Sequence, residues 1–208
     1  MRNVLGSLVA VAVLAFAGAA QAQDSYSYPG VHTHDGFFLQ MDLGVGGMAS
    51  SVDQGGGDLK LSGGSGQFSV GVGGAVARNF VIAGQVWAVS VPDPDVKLGG
   101  TKLGEADATL SLSGIGVQLV YYFMPLNVYV SATPSLTRLS LDEGSSTGES
   151  DTGFGMKLAV GKEWWVSDNW ALGLNGQFAF STNDDSGVAG APSWGTGWFG
   201  VAFSATFN

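Results

Sequence analysis

The sequence predicts an all-β protein, specifically an eight-stranded antiparallel up-and-down β-barrel that crosses a membrane. Three observations support this prediction. Large apolar residues alternate with small or polar ones over strand-length runs, and long polar segments alternate with short turns between those runs. The chain is also only 12% charged and contains 34 glycines, whereas soluble domains average about 25% charged residues. Because side chains alternate across a strand, each run has one apolar and one polar face.

The segment Thr152–Ser181 shows the alternation most clearly. Asp168 and Asn169 favour a tight turn in its middle, since these residue types satisfy turn backbone groups and tolerate left-handed conformations. The large apolar residues fall at even positions on both sides of that turn, at Phe154, Met156, Leu158, Val160, Trp170, Leu172, Leu174, Phe178 and Phe180. We therefore expect two transmembrane strands joined by a short turn.

The first 35 residues differ from the rest of the chain. Residues 1–22 read as a secretory signal peptide, with basic Arg2, an apolar run and the cleavage pattern Ala20-Gln21-Ala22. Residues 23–35 are predicted to form a short, exposed periplasmic leader. Its His32 and His34 could share a metal ion, but the ligand set is incomplete, so no metal site is predicted. Downstream of the signal, the sequence lacks an apolar run of about 20 residues, which excludes a transmembrane helix.

The barrel is predicted to occupy residues 36–208. Long polar connections at 51–64, 92–107, 142–151 and 182–193 alternate with short turns near residues 78, 125 and 168, which places all long loops at one end. Pro134 is expected to mark a bulge or break, because proline cannot donate to a ladder. Gln85 should point inward, which puts Trp87 inside the barrel or at a bulge. The eight predicted strands cover 36–50, 67–77, 80–91, 108–123, 127–141, the two halves of 152–181, and 194–208.

Aromatic residues cluster beside the short turns and near the start of the last strand. Tryptophan and tyrosine favour the membrane–water interface, so these residues are predicted to form an aromatic girdle: Tyr121, Tyr122, Phe123, Trp164, Trp165, Trp170, Trp194 and Trp198. A soluble lipocalin-like barrel is the alternative, since it also has eight up-and-down strands. It would need large apolar side chains inside, whereas the residues opposite each apolar face here are mostly Gly, Ala, Ser, Thr, Gln and Asn.

The signal peptide, the hairpin rhythm, the aromatic turns and the closing residues VAFSATFN together resemble the small bacterial outer-membrane barrels of the OmpA, OmpX and OmpW type. The resemblance implies a monomer in the cell outer membrane that is surrounded by lipid and binds no nucleic acid and no cofactor. In such barrels the last strand carries an alternating apolar signal that the barrel-assembly machinery reads. The matching residues here are Phe199, Val201, Phe203 and the penultimate Phe207.

The interior of an eight-stranded barrel is just wide enough for side chains to fill. Strand parity directs three charges inward, namely Asp42, Lys157 and Glu163. Lys157 and Glu163 lie six residues apart on one strand, roughly 20 Å at about 3.3 Å per residue, so Asp42 is the better partner for Lys157. Most other inward positions are small: Gly44, Gly46, Gly71, Gly73, Ala75, Gly114, Gly116, Gly155, Ala159 and Gly173.

Three functions fit this interior. The first is a structural or surface-interaction barrel plugged by its own side chains. The second is a narrow passage for a small solute, which the OmpW resemblance implies, and the third is an adhesin that uses the acidic loops. An enzyme is not predicted, because acyl transfer needs a nucleophile beside a base, and both histidines precede the first strand of a chain that has no cysteine.

Overall fold

The computed structural model of the chain describes residues 34–53, 57–187, 190 and 192–208. The predicted signal peptide, His32 and most of the leader therefore lie outside the described residues. In the described part, no helix is long and apolar enough to cross a membrane.

The described residues form one antiparallel sheet that closes on itself. Eight long strands build a barrel: β1 (Phe37–Asp53), β2 (Asp58–Ala77), β3 (Phe80–Pro92), β6 (Thr109–Phe123), β7 (Val128–Asp142), β9 (Gly153–Trp165), β10 (Trp170–Asp184) and β11 (Ser193–Phe207). Strand β1 pairs with both β2 and β11 and so closes the barrel. The predicted barrel is thereby confirmed. The short strands are β4 (Asp95–Leu98), β5 (Thr101–Glu105) and β8 (Thr147–Glu149).

The two ends of the barrel differ. At the turn end, β2–β3, β6–β7 and β9–β10 are joined by short turns, and Asn79 and Asn127 adopt the left-handed conformation with φ of 61° and 50°, which asparagine tolerates better than most residues. At the loop end, β4 and β5 form a hairpin that extends the sheet from β2, and β8 pairs with β7. Pro134 coincides with a gap in the β6–β7 ladder, between the pairs Gly116–Ser135 and Leu119–Ala132.

The predicted loop at 51–64 is wrong. Strand β1 continues to Asp53 and β2 begins at Asp58, and these two residues face each other in the register. The serines and glycines of this stretch look like a loop in sequence. In the ladder, however, each strand satisfies the backbone groups of the other, and inward Val52 and Leu61 are buried, which fixes the register.

An apolar belt surrounds the turn-end half of the barrel. Outward side chains in this half are mostly large and exposed, as Leu43 and Phe199 show at 69% each. On every barrel strand the belt ends at a similar height, and beyond it the outward positions are mainly Ser, Thr, Gly or charged residues. The last belt residues towards the loop end are Val45, Phe68, Ala88, Ile115, Leu136, Phe154, Phe180 and Phe199.

Beyond the belt the polarity of the wall reverses. Outward Ser90 and Ser111 are half-buried there and hydrogen-bond to each other at 2.9 Å, while the inward neighbours on the same strands are buried and apolar. We call the inner group the upper cluster: Met48, Leu61, Trp87, Val89, Val91, Leu110, Leu112, Leu139, Ala179 and Trp198. The expectation that the inward side chains are mostly small or polar is therefore wrong at the loop end. There, β3 and β6 carry large apolar side chains on their inner face and polar ones on their outer face.

Candidate functional site

The centre of the lumen holds a buried ion pair. Lys157 Nζ lies 4.0 Å from Asp42 Oδ2, and the Ser69 hydroxyl bridges the two groups, accepting a hydrogen bond from Lys157 at 3.0 Å and donating one to Asp42 at 2.7 Å. Asn175 Nδ2 donates to the other Asp42 oxygen at 3.1 Å. Inward positions of β1, β2, β9 and β10 thus converge, and the neutral donors help to offset the cost of burying two charges.

Hydrogen bonds continue from this pair across the lumen. Asn175 Nδ2 also contacts the Tyr129 hydroxyl at 2.9 Å, and Gln177 Nε2 donates to Asn175 Oδ1 at 2.7 Å. On the opposite wall, Thr133 Oγ1 donates to Gln85 Oε1 at 3.0 Å. The middle of the barrel is therefore filled by polar side chains that hydrogen-bond to one another.

Glu163 lies in this polar layer but closer to the turn end. Its Oε1 accepts a hydrogen bond from Thr206 at 2.6 Å and a longer one from Gln40 Nε2 at 3.4 Å. Gln40 in turn accepts from Gln118 Nε2 at 2.7 Å. The structure thus brings Lys157 and Asp42 together and holds Glu163 in a separate set of contacts with neutral donors.

Aromatic rings close the turn end. The His34 ring stacks on Tyr122 with centroids 3.4 Å apart and an interplanar angle of 12°, and Trp165 is 5.1 Å away. His34 Nε2 lies 2.7 Å from Asn127 Oδ1. The expectation of an exposed leader is therefore wrong at His34, which is fully buried. No local sequence signal could reveal it, because its partners come from three distant strands or turns.

The surroundings of His34 do not support a metal-binding site. In the part of the chain that the structure describes, no group of three or more His, Cys, Asp or Glu side chains is placed to hold a metal ion. The His34 nitrogen that contacts Asn127 meets an amide oxygen, which makes its role one of packing and hydrogen bonding at the barrel mouth.

Two indoles fill the loop-end half of the lumen. Trp87 Nε1 donates to Ser135 Oγ at 3.0 Å, and Trp198 Nε1 donates to Ser65 Oγ at 2.8 Å. A Cβ added to Gly114 would lie 2.5 Å from the Trp87 ring, and one added to Gly200 would lie 2.7 Å from Trp198. Inward glycines therefore make room for the indoles in addition to easing curvature.

Four of the eight residues predicted to form the aromatic girdle point outward, and the other four point inward. Tyr121, Phe123 and Trp164 are outward and about half exposed, and outward Trp170 packs edge-on against Phe207 with centroids 5.3 Å apart. The other four point inward because neighbouring residues on a strand face opposite sides. These are Tyr122 and Trp198, which are buried, Trp165, which packs near His34, and Trp194, which packs against the upper cluster.

The predicted C-terminal signal lies on the outer face of β11. Phe199, Val201 and Phe203 are exposed, and Phe207 packs edge-on against Phe37 of β1 with centroids 6.1 Å apart. Strand β11 pairs with β1, so these side chains flank the seam where the barrel closes.

Comparison with solved structures finds bacterial proteins to which this chain is similar. Neisserial surface protein A (NspA) is 21% identical in sequence, and the match covers 82% of this chain and 96% of that chain with a TM-score of 0.54. OprG from Pseudomonas aeruginosa is 12% identical over 86% of this chain and 98% of that chain, with a TM-score of 0.44. Ail of Yersinia pestis is 11% identical over 79% and 97%, with a TM-score of 0.37. The similarity to NspA shows a shared barrel fold. No protein-family model matches the sequence, and no curated protein matches it significantly.

Proposed function

We propose that this chain is an integral β-barrel of the bacterial outer membrane with a structural or surface-interaction role and a lumen closed by its own side chains. The observation that supports the closed lumen is its layering. A polar network around Lys157 and Asp42 lies between the upper cluster and the rings of His34 and Tyr122. A solute entering from either end would have to displace packed aromatic side chains.

The apolar belt supports the membrane location. On β9 it runs from Phe154 to Trp164, and on β1 from Phe37 to Val45. At about 3.3 Å per residue and a strand tilt of about 40°, these lengths correspond to a height of roughly 20–25 Å. Outer-membrane barrels carry an outward apolar band about 25 Å tall, so lipid is the expected neighbour of this surface.

The same proposal gives the barrel an orientation and a route of assembly. The turn end would face the periplasm and the loop end the exterior, because outer-membrane barrels pair short periplasmic turns with longer extracellular connections. The outward row Phe199, Val201, Phe203 and Phe207 would be read by the barrel-assembly machinery. A monomer is proposed, since the closed sheet satisfies its own strand edges within the belt.

Planar-bilayer conductance of the refolded barrel tests the closed lumen. We expect no steady conductance from the wild-type chain or from a form lacking the hairpin 95–105. The double variant Trp87→Ala/Trp198→Ala should also stay closed, because the polar network around Lys157 and Asp42 and the stacked rings at the turn end remain in place. Outward Trp164→Ala should behave as wild type. A steady wild-type conductance that survives hairpin deletion would favour the solute passage and overturn the closed lumen.

A further inference from the structure

Three lysines form a row across neighbouring strands at the loop end. The register places Lys60 of β2 opposite Lys97 of β4, and Lys97 opposite Lys102 of β5. The whole chain contains eight Lys and Arg residues and has a formal net charge of −9. The adjacent position of three cations in such an acidic chain therefore needs a physical explanation.

The lysine row lies on the outer surface of the wall. Its inward neighbours Leu61 and Val96 pack into or against the upper cluster. Since successive side chains alternate across a strand, Lys60, next to Leu61, and Lys97, next to Val96, point away from the lumen. Lys60 and Lys102 are exposed and Lys97 is half-buried.

Carboxylates surround the row but do not pair equally with it. Lys102 Nζ contacts Asp95 at 2.6 Å and Glu105 at 3.4 Å, and the hydrogen bond that Lys102 donates to Asp95 raises the pKa of Lys102. Among the described residues, neither Lys60 nor Lys97 makes an ion pair within 4.0 Å. Like charges directly opposite each other destabilise a sheet, so these two ammonium groups form a place where an anion would be favoured.

The height of the row indicates which anion it can reach. Lys60 precedes the belt residue Phe68 by eight positions on β2, about 26 Å along the strand. With a tilt of about 40° the row lies roughly 20 Å beyond the belt. This is above the lipid headgroups, at the level of sugars attached to an outer-leaflet glycolipid.

We propose that Lys60 and Lys97 bind phosphate or carboxylate groups on the core sugars of the outer-leaflet glycolipid. The inference depends on the proposed membrane location and orientation. Cross-strand neighbours are about 5 Å apart, so two ammonium groups, each with three donors, can bracket one phosphate. Asp95 and Glu105 hold Lys102 and limit the site to the other two lysines.

Native mass spectrometry of the folded, detergent-solubilised barrel, titrated with lipopolysaccharide, tests the site. One titration uses glycolipid with the anionic core sugars, a second uses lipid A without the core, and a third uses inorganic phosphate. The test variant is Lys60→Gln/Lys97→Gln. The control Arg78→Gln/Lys162→Gln removes the same charge at the turn end.

We expect the test variant to bind core-bearing lipopolysaccharide about 30-fold more weakly, at about fivefold per lysine near an anionic surface. Its binding of lipid A should be unchanged, and the control should match wild type in both titrations. Equal weakening for lipid A and core-bearing glycolipid, an unchanged affinity for both, or an equally weakened control would each overturn the site. Tight, lysine-dependent binding of inorganic phosphate would assign the site to free anions instead.

Failure of the proposed function would look different. A chain that stays soluble and folded without detergent would contradict the membrane location itself. Loss of core-sugar recognition in a detergent-dependent, folded barrel contradicts only the lysine site.

Discussion

Lys157 and Asp42 both hydrogen-bond to the Ser69 hydroxyl, which bridges two charges whose own separation is 4.0 Å. Both side chains are almost fully buried. Each charge is therefore stabilised by the other, and removing one leaves the other buried without an opposite charge.

The first prediction concerns this dependence. Lys157→Met should lower the free energy of unfolding by about 3–5 kcal/mol, because it leaves the Asp42 carboxylate buried without its cation. The double variant Lys157→Met/Asp42→Leu should recover much of that loss. Urea unfolding in lipid vesicles measures both effects.

A control is Arg78→Met, where the cation lies exposed in the turn between β2 and β3. It should change stability by about 1 kcal/mol or less. Strictly additive effects of Lys157→Met and Asp42→Leu would show that the two charges do not depend on each other.

The second prediction concerns the room that glycine provides for Trp87. Gly114→Ala should destabilise the barrel by about 1–3 kcal/mol, as overpacking does, because the new Cβ would lie 2.5 Å from the indole. Gly66→Ala is the control, since a Cβ there meets nothing within 4 Å. Unfolding in vesicles should separate the two variants, and equal stability would mean that the indole can shift at no cost.

The third prediction concerns orientation. Single cysteines placed at Ser146 and Ser186 should react with a membrane-impermeant thiol reagent on intact cells, because both residues are exposed at the loop end. A cysteine at Ser167, exposed in the β9–β10 turn, should react only after the outer membrane is opened. Labelling of Ser167→Cys alone on intact cells would reverse the topology.

Period-two alternation was sufficient to predict the barrel, because lipid outside and side chains inside impose opposite demands on adjacent residues. It also predicted which charges share the lumen, and the structure places Lys157 beside Asp42. The aromatic girdle is predicted from the clustering of aromatic residues, which does not say which face of a strand each residue occupies. Tyr122 and Trp198 lie inside the barrel because their strand neighbours occupy the outer face.

Two other features could not be read from local sequence. The part of the β1–β2 ladder next to the pair Asp53–Asp58 contains serine and glycine, which are as common in loops as in a solvated strand. The contact between His34 and Asn127 joins residues 93 positions apart. It depends on the fold bringing His34 against the turn between β6 and β7, which no periodicity encodes.

The reversal of wall polarity also determines how deeply the barrel can sit. Sliding outwards by two residues would expose Phe68 and Phe199 to water, and sliding inwards would bury the charged side chain of Arg138 on β7 in hydrocarbon. Both displacements are unfavourable. The protein therefore has one preferred vertical position, and a bilayer of different thickness has to stretch or thin around it.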